Sequence, residues 1–305
     1  MGEVIDILSD SEDLISEESL DPIIIKNKFS VTLKESDYSK LNKGVYINDN
    51  IVDFILNAYI STKSKNFHAF NCFFYLTYEE HGFDKIQKWY KSVDIFSKKY
   101  WLIPIAIMDH WLLVIIANPK NALTKKNPPS QMLLFDSMNS KVLNPQKLLE
   151  KYIKSEWKQR TGQDVDDIDI PLYFLKLPQQ ENLYDCGIYM LEYANEFIKR
   201  PRYFCNPNKD YTLIFEQLMI EDNRDKIKNF ILQIAEGVNI YNVKQKVYLM
   251  IPRKLLDQED LGFFKCKKRR RGCNRQVKLK KYKKDPENAI RMENSHMLTK
   301  PNIKI

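Results

Sequence analysis

Apolar positions take up a regular period just before residue 50, where Ile51, Phe54, Ile55 and Tyr59 follow helical spacing. Asn48 or Asp49 stands where a cap is needed. Residues 69–76 (AFNCFFYL) read as a buried strand or a turn, and 84–92 as a short helix. Two apolar runs follow, 101–107 (WLIPIAI) and 111–117 (WLLVIIA). Both are short and rich in aromatic and β-branched residues, which predicts neighbouring buried strands. Pro104 cannot donate to a sheet ladder and predicts a bulge or an edge. Residues 118–130, with three prolines, read as a loop. Beyond it, 131–136 (QMLLFD) predicts a third strand, 145–158 a helix and 172–177 (LYFLKL) a fourth strand. Ile188, Leu191, Tyr193 and Phe197 predict an amphipathic helix from Cys186 to about Lys199, and helical pattern fills 211–236. Residues 247–251 (VYLMI) form a final strand or part of a terminal helix. The pattern describes an α+β domain over 26–255, between an acidic segment (1–25) and a basic one (256–305) that lack the periods of regular structure and are expected to be disordered.

Charge sharpens this division. The 305 residues carry a formal net charge of +8. Residues 1–20 hold seven acids and no Lys or Arg, whereas 265–284 hold twelve Lys or Arg and no acid. Bases and acids nearly balance elsewhere, so the middle does not read as a nucleic-acid-binding fold; any such contact is expected to be nonspecific and confined to the basic tail. The longest uninterrupted apolar run, Trp111–Ala117, is far too short for a membrane helix. The acidic start does not resemble a secretory signal, and no glycine-rich nucleotide fingerprint is present. Five widely spaced cysteines without an export signal predict a reduced intracellular protein. Cys266 and Cys273 are separated by six residues with no histidine nearby, which disfavours a zinc site, and no metal is expected.

Three residues stand out as candidate chemistry only when taken together. His110 opens an apolar strand, Asp136 ends one, and Cys186 starts a helix. Singly, each has a plainer explanation: a strand-edge histidine satisfied by backbone, a turn or capping carboxylate, a core thiol. A free thiol is only about 3% ionised at pH 7. A cysteine at a helix N-terminus beside an imidazolium gains thiolate character, and a carboxylate can hold that ring in orientation. Gln180, six residues before the cysteine, is placed to donate to a developing oxyanion together with the Cys186 backbone N–H.

His110-Trp111 on an apolar strand, then Phe135-Asp136-Ser137, then Pro178-Gln179-Gln180-x-Asn182-x-x-Asp185-Cys186-Gly187 resembles the catalytic signature of the ubiquitin-like-protein-specific (SUMO, or sentrin-specific) cysteine proteases. The likeness runs from about Tyr46 to Phe197. It implies a papain-like cysteine protease core, α+β, with a central mixed sheet flanked by helices and the nucleophile at a helix N-terminus. It implies Cys186 as nucleophile, His110 as general base and acid, Asp136 as its orienter and Gln180 as oxyanion donor. Trp111 would wall a narrow tunnel over the Gly-Gly end of the modifier, which only glycine can thread. The opposite wall would be Tyr46, where many family members have tryptophan. Asp49 matches a position that can pair with a basic residue of the modifier, and is equally placed to cap the helix. Gly187 would let the substrate approach the backbone. The interval between His110 and Asp136 resembles the branch that edits SUMO chains.

The resemblance therefore implies a SUMO-deconjugating isopeptidase needing no cofactor, a monomer whose partners are SUMO, SUMO-conjugated proteins and poly-SUMO chains. The alternatives are a protease for another modifier such as NEDD8, or a catalytically weak SUMO-binding adaptor. In the tails, Val4, Ile5 and Ile7 before an acidic run resemble a SUMO-interacting motif, which would add a strand to the edge of the modifier's sheet. Lys267, Lys268, Arg269, Arg270 and Arg271 resemble a nuclear localisation signal, implying the import machinery as a partner and the nucleus as location. Replacing Val4, Ile5 and Ile7 by alanine is expected to weaken binding to SUMO chains while leaving cleavage of a minimal substrate in place. A titration showing unchanged chain affinity would remove the motif.

Overall fold

The computed structural model describes residues 21–61, 63–140 and 143–237. The chain divides into two units, Met1–Met250 and Ile251–Ile305, and every described residue lies in the first. The expected SUMO-interacting motif, the basic signal and the element at 247–251 lie outside the described residues.

The fold starts a little ahead of the expected residue 26. Strands β1 (Ile23–Lys28) and β2 (Val31–Lys34) pair antiparallel, turning through Phe29 and Ser30 at positive φ. The Asp21 carboxylate anchors the entry by accepting from the backbone N–H and hydroxyl of Ser36 on helix α1 (Glu35–Ser39). Helix α2 (Asp49–Ile60) follows, and its cap is Asn48, whose side chain accepts from Ile51 N–H at 3.2 Å. The apolar segment at 69–76 is split between three states: β3 (Phe67–Ala69), a turn, and α3 (Phe74–His81). The helix expected over 84–92 is a single turn, α4 (Phe83–Ile86).

The central sheet takes the order β3-β4-β5-β6-β7, with β4 (Tyr100–Ile107), β5 (His110–Ala117), β6 (Gln131–Phe135) and β7 (Leu172–Phe174). Its outer pairs are parallel and its inner pairs antiparallel, so it is mixed. The fourth strand is shorter than 172–177, ending at Phe174. Pro104 sits in regular register opposite Leu113, with no bulge. Leu102 C=O accepts from Phe70 N–H on the β3 side, so two residues on, Pro104 faces that same side where β3 has already ended. The missing donor costs nothing there.

Every residue of β5 is buried, which explains its uninterrupted apolar run. Leu113, Ile115, Leu133 and Phe135 pack on one face with α2 and α7 (Cys186–Lys199). Leu112, Val114, Ile116, Met132 and Leu134 pack on the other, with α3 and α6 (Gln146–Thr161). Between β5 and β6 the expected loop contains a short helix, α5 (Pro119–Thr124), with Pro119 in the first turn where it forfeits no intrahelical bond. Gly162, at φ 71°, ends α6 in the left-handed conformation that glycine adopts freely. Short α8 (Pro201–Phe204) and long α9 (Gln217–Ala235) complete the described chain. With both sheet faces covered, the ends of the strands are where polar chemistry can reach solvent.

Candidate active site

The first site residues are brought together by strand register. Met108 and Asp109, both at positive φ, turn the chain from β4 into β5, whose first residue is His110. Leu113 pairs with Phe135. Continuing that ladder sets Asp136 beside Leu112, on the side of the pleat that His110 shares. The His110 Nε2–H donates to Asp136 Oδ1 at 2.8 Å. The carboxylate accepts three further bonds: from Met138 N–H at 2.9 Å, Ser140 N–H at 2.7 Å and the Ser140 hydroxyl at 2.8 Å. His110 is thus held by a carboxylate rather than by backbone.

Burial and hydrogen bonding oppose each other in this pair. Burial alone raises the Asp136 pKa, but the bonds from His110, Met138 and Ser140 outweigh it and hold the group at about 2. Burial lowers that of His110, yet its contacts with Asp136 and with Cys186 lift it to about 9. Both groups are therefore charged at neutral pH. The histidine's raised pKa contributes stability that is complete below its ordinary value and is lost as pH rises through about 9. The lowered aspartate contributes stability present above its ordinary value and lost as pH falls through about 2.

Cys186 is buried at the start of α7, with its thiol interacting with the His110 ring. Nε2 is committed to Asp136, and Nδ1, buried and without a conventional hydrogen bond, is the nitrogen left to face the thiol. Gln180 is set by its neighbours. Its backbone N–H donates to Ser137 C=O at 2.9 Å, and the Ser137 hydroxyl donates to Gln180 Oε1 at 2.5 Å. One hydrogen of its Nε2 goes to Asn182 C=O at 2.6 Å, leaving the second for a ligand. Gln179 instead ties back to Asp136 C=O and Leu177 C=O, at 3.2 and 3.1 Å. Asn182 Oδ1 accepts from Tyr184 and Asp185 N–H, so the loop before the cysteine is fastened along its length.

The Trp111 side chain is tied to the residue that follows Tyr46. Trp111 Nε1–H donates to Ile47 C=O at 3.1 Å, while Tyr46, the preceding residue, is 45% exposed. Gly187 lies under this contact. A Cβ placed there would lie 2.4 Å from Ile47 Cγ1 and 3.0 Å from Trp111 Cδ1, so the missing side chain makes room for the walls to meet. Asn48 rather than Asp49 caps α2, which leaves the Asp49 carboxylate without a hydrogen-bond or ion-pair partner among the described residues. Behind the wall, buried Asp37 accepts from Asn48 Nδ2 at 2.7 Å and Asn50 Nδ2 at 3.1 Å.

His110, Asp136, Cys186 and Gln180 are thus gathered at one end of the sheet, with Trp111 and Gly187 beside them. The residues that hold them were not singled out from sequence: Ser137, Ser140, Asn182, Asp185, Asp37 and, on α9, Arg224. Ser137, Asn182 and Asp185 stood within the quoted motif and carried a signal. Nothing local marks Asp37 or Arg224.

A helix-borne cysteine facing a histidine that is bonded to an aspartate is the constellation of the cysteine proteases. The model of the Ulp1 protease family, C-terminal catalytic domain, matches residues 45–228, more than half of the chain, and the chain belongs to that family. Ubiquitin-like-specific protease 2 of Schizosaccharomyces pombe is 31% identical over 215 residues, a match covering 56% of this chain and 34% of the relative. Sentrin-specific protease 2 of Mus musculus is 27% identical over 186 residues, covering 59% of this chain and 30% of the relative. Among solved structures, the Ulp1 C-terminal protease domain in complex with Smt3, the yeast orthologue of SUMO, superposes with a TM-score of 0.55 at 25% identity, covering 72% of this chain and 90% of that one. The chain spans about a quarter to a third of the length of the curated relatives it matches first.

Gly187→Ala tests the packing of the walls. The added methyl overpacks Ile47 and is expected to cost about 1–3 kcal/mol of stability, with a larger proportional loss in cleavage of a modifier substrate than in alkylation of Cys186 by a small electrophile. Equal rates for variant and wild type on the modifier substrate would show that the walls tolerate the methyl.

Proposed function

We propose that the chain is a cysteine isopeptidase that removes SUMO from lysine side chains by cleaving after its C-terminal Gly-Gly. The observation that carries the reading is the single imidazole of His110, bonded through Nε2 to Asp136 and facing the Cys186 thiol with its other nitrogen. Family membership and the likeness to a protease bound to Smt3 support SUMO as the modifier.

In this mechanism the His110 ring already holds the proton of the Cys186 thiol, and the sulfur attacks the carbonyl carbon of the terminal glycine. A C–S bond forms and the carbonyl electrons move to oxygen. The oxyanion is received by the Cys186 N–H and the free hydrogen of Gln180 Nε2. His110 then protonates the lysine nitrogen as the C–N bond breaks, and the amine leaves. A water molecule, deprotonated by the now neutral His110, attacks the thioester, and the sulfur departs to restore the starting pair. Asp136 keeps its charge throughout and fixes the ring. Trp111 and Tyr46 confine the Gly-Gly segment, and the unpartnered Asp49 carboxylate is placed to meet a basic residue of the modifier.

Editing of poly-SUMO chains and action in the nucleus belong to the same proposal. They rest on the interval between His110 and Asp136 and on the tail motifs at Val4, Ile5, Ile7 and Lys267–Arg271. The rival reading, another modifier such as NEDD8, differs in substrate and not in chemistry.

A panel of SUMO, NEDD8 and ubiquitin carrying C-terminal electrophiles decides between them. The expected result is covalent labelling by SUMO alone, abolished in Cys186→Ala. Labelling that survives Cys186→Ala would remove the nucleophile assignment, and labelling by NEDD8 or ubiquitin alone would remove SUMO.

A further inference from the structure

Helix α9 reaches into the site from behind through one side chain. Arg224 is buried, and its five N–H donors all have acceptors. Nε and Nη2 both donate to Asp185 Oδ1, at 2.9 and 2.6 Å. Nη2 also donates to Tyr184 C=O at 3.2 Å. Nη1 donates to Lys40 C=O and Asn42 C=O, at 3.3 and 3.1 Å. Asp185 immediately precedes Cys186. The Asp185 Oδ2 atom left free by Arg224 accepts from Asn182 Nδ2 at 2.8 Å, and Asn182 C=O accepts from Gln180 Nε2. A continuous chain of hydrogen bonds therefore runs from α9 to the amide aimed at the oxyanion, and on to Ser137 beside Asp136. The other branch of Arg224 holds residues 40–42, from which the chain continues to Tyr46 and Ile47.

We infer that Arg224 is a positioning residue for the oxyanion site: it fixes the loop of residues 180–185 against the segment that leads to the Tyr46–Ile47 wall. It touches neither substrate nor the reacting sulfur, and it acts through Asp185 and Asn182. The inference rests on the protease reading above and adds to it a residue 38 positions beyond the nucleophile. The guanidinium is required for its shape as well as its charge. Four acceptor groups on two segments, 40–42 and 184–185, are met at once by a planar fork, and a lysine ammonium has only three donors on a flexible stem. Without the fork, Asp185 turns from its place, Asn182 loses a partner, and the Gln180 amide is no longer aimed. The His110–Asp136 pair is held by separate bonds from Met138 and Ser140 and keeps its geometry.

Arg224→Lys in the full chain separates this role from a purely structural one. Two rates are compared on the folded variant, with folding confirmed by circular dichroism. One is turnover of a SUMO isopeptide substrate, which needs the oxyanion site. The other is alkylation of Cys186 by iodoacetamide, which needs the thiolate and no oxyanion. The expected result is a fall in kcat on the order of 100-fold, the size of a lost oxyanion donor, with alkylation close to that of the wild type. Both rates falling together, or kcat unchanged, would overturn the inference. Should the variant not fold, Asn182→Ala cuts the same chain of bonds while leaving the buried cation paired, and must show the same split between the two rates. A wild-type chain that fails to cleave the SUMO substrate would instead refute the protease reading itself.

Discussion

The hydrogen bond from His110 Nε2 to Asp136 Oδ1 is made where two strands of a fully covered sheet come to an end. Charged groups this deeply placed are stable only when every lone pair and proton is used, because desolvation otherwise exceeds the attraction. Asp136 meets that condition with four donors, of which three come from the turn that follows it. The turn therefore has to adopt the shape that returns the backbone N–H groups of Met138 and Ser140 to the carboxylate. Strand pairing places the histidine, the turn completes the aspartate, and the charged imidazole is the outcome.

The rest of the site is arranged around that ring. Helix α7 is buried almost throughout, so Cys186 is delivered from a rigid element rather than from a loop. Gly187 lets Ile47 and the Trp111 indole close above the helix start, and the indole bond to Ile47 C=O ties β5 to the segment that carries Tyr46. Three stretches of chain far apart in sequence thus meet: residues 37–48, the ends of β5 and β6, and the loop before the cysteine.

The parts of this arrangement that were legible in the sequence are those written in short-range patterns. The apolar runs of β4 and β5, the period of α2 and the helix starting at Cys186 follow from spacing alone, and the motif around Gln180 and Cys186 lies within ten residues. What was not legible depends on distant partners. The segment at 69–76 is apolar throughout, and its division into strand, turn and helix is decided by where β3 stops against β4. Pro119 looked like loop punctuation but suits the first turn of a helix equally well. Arg224 gives no local sign, because its partners at 40–42 and 184–185 are brought near only by the packing of α9. Asn48, not Asp49, became the cap because Asp37 holds its side chain in place, a contact across eleven residues.

The central claim is that His110 is a buried imidazolium held by Asp136. Its titration, followed by the nitrogen chemical shifts of the labelled ring in the full chain, tests that most directly. The account predicts that the ring stays protonated through neutral pH and titrates at about 9, and that Asp136→Asn moves the titration down toward the ordinary histidine range. A ring that titrates at or below the ordinary value in the unaltered chain, or one indifferent to Asp136→Asn, would contradict it.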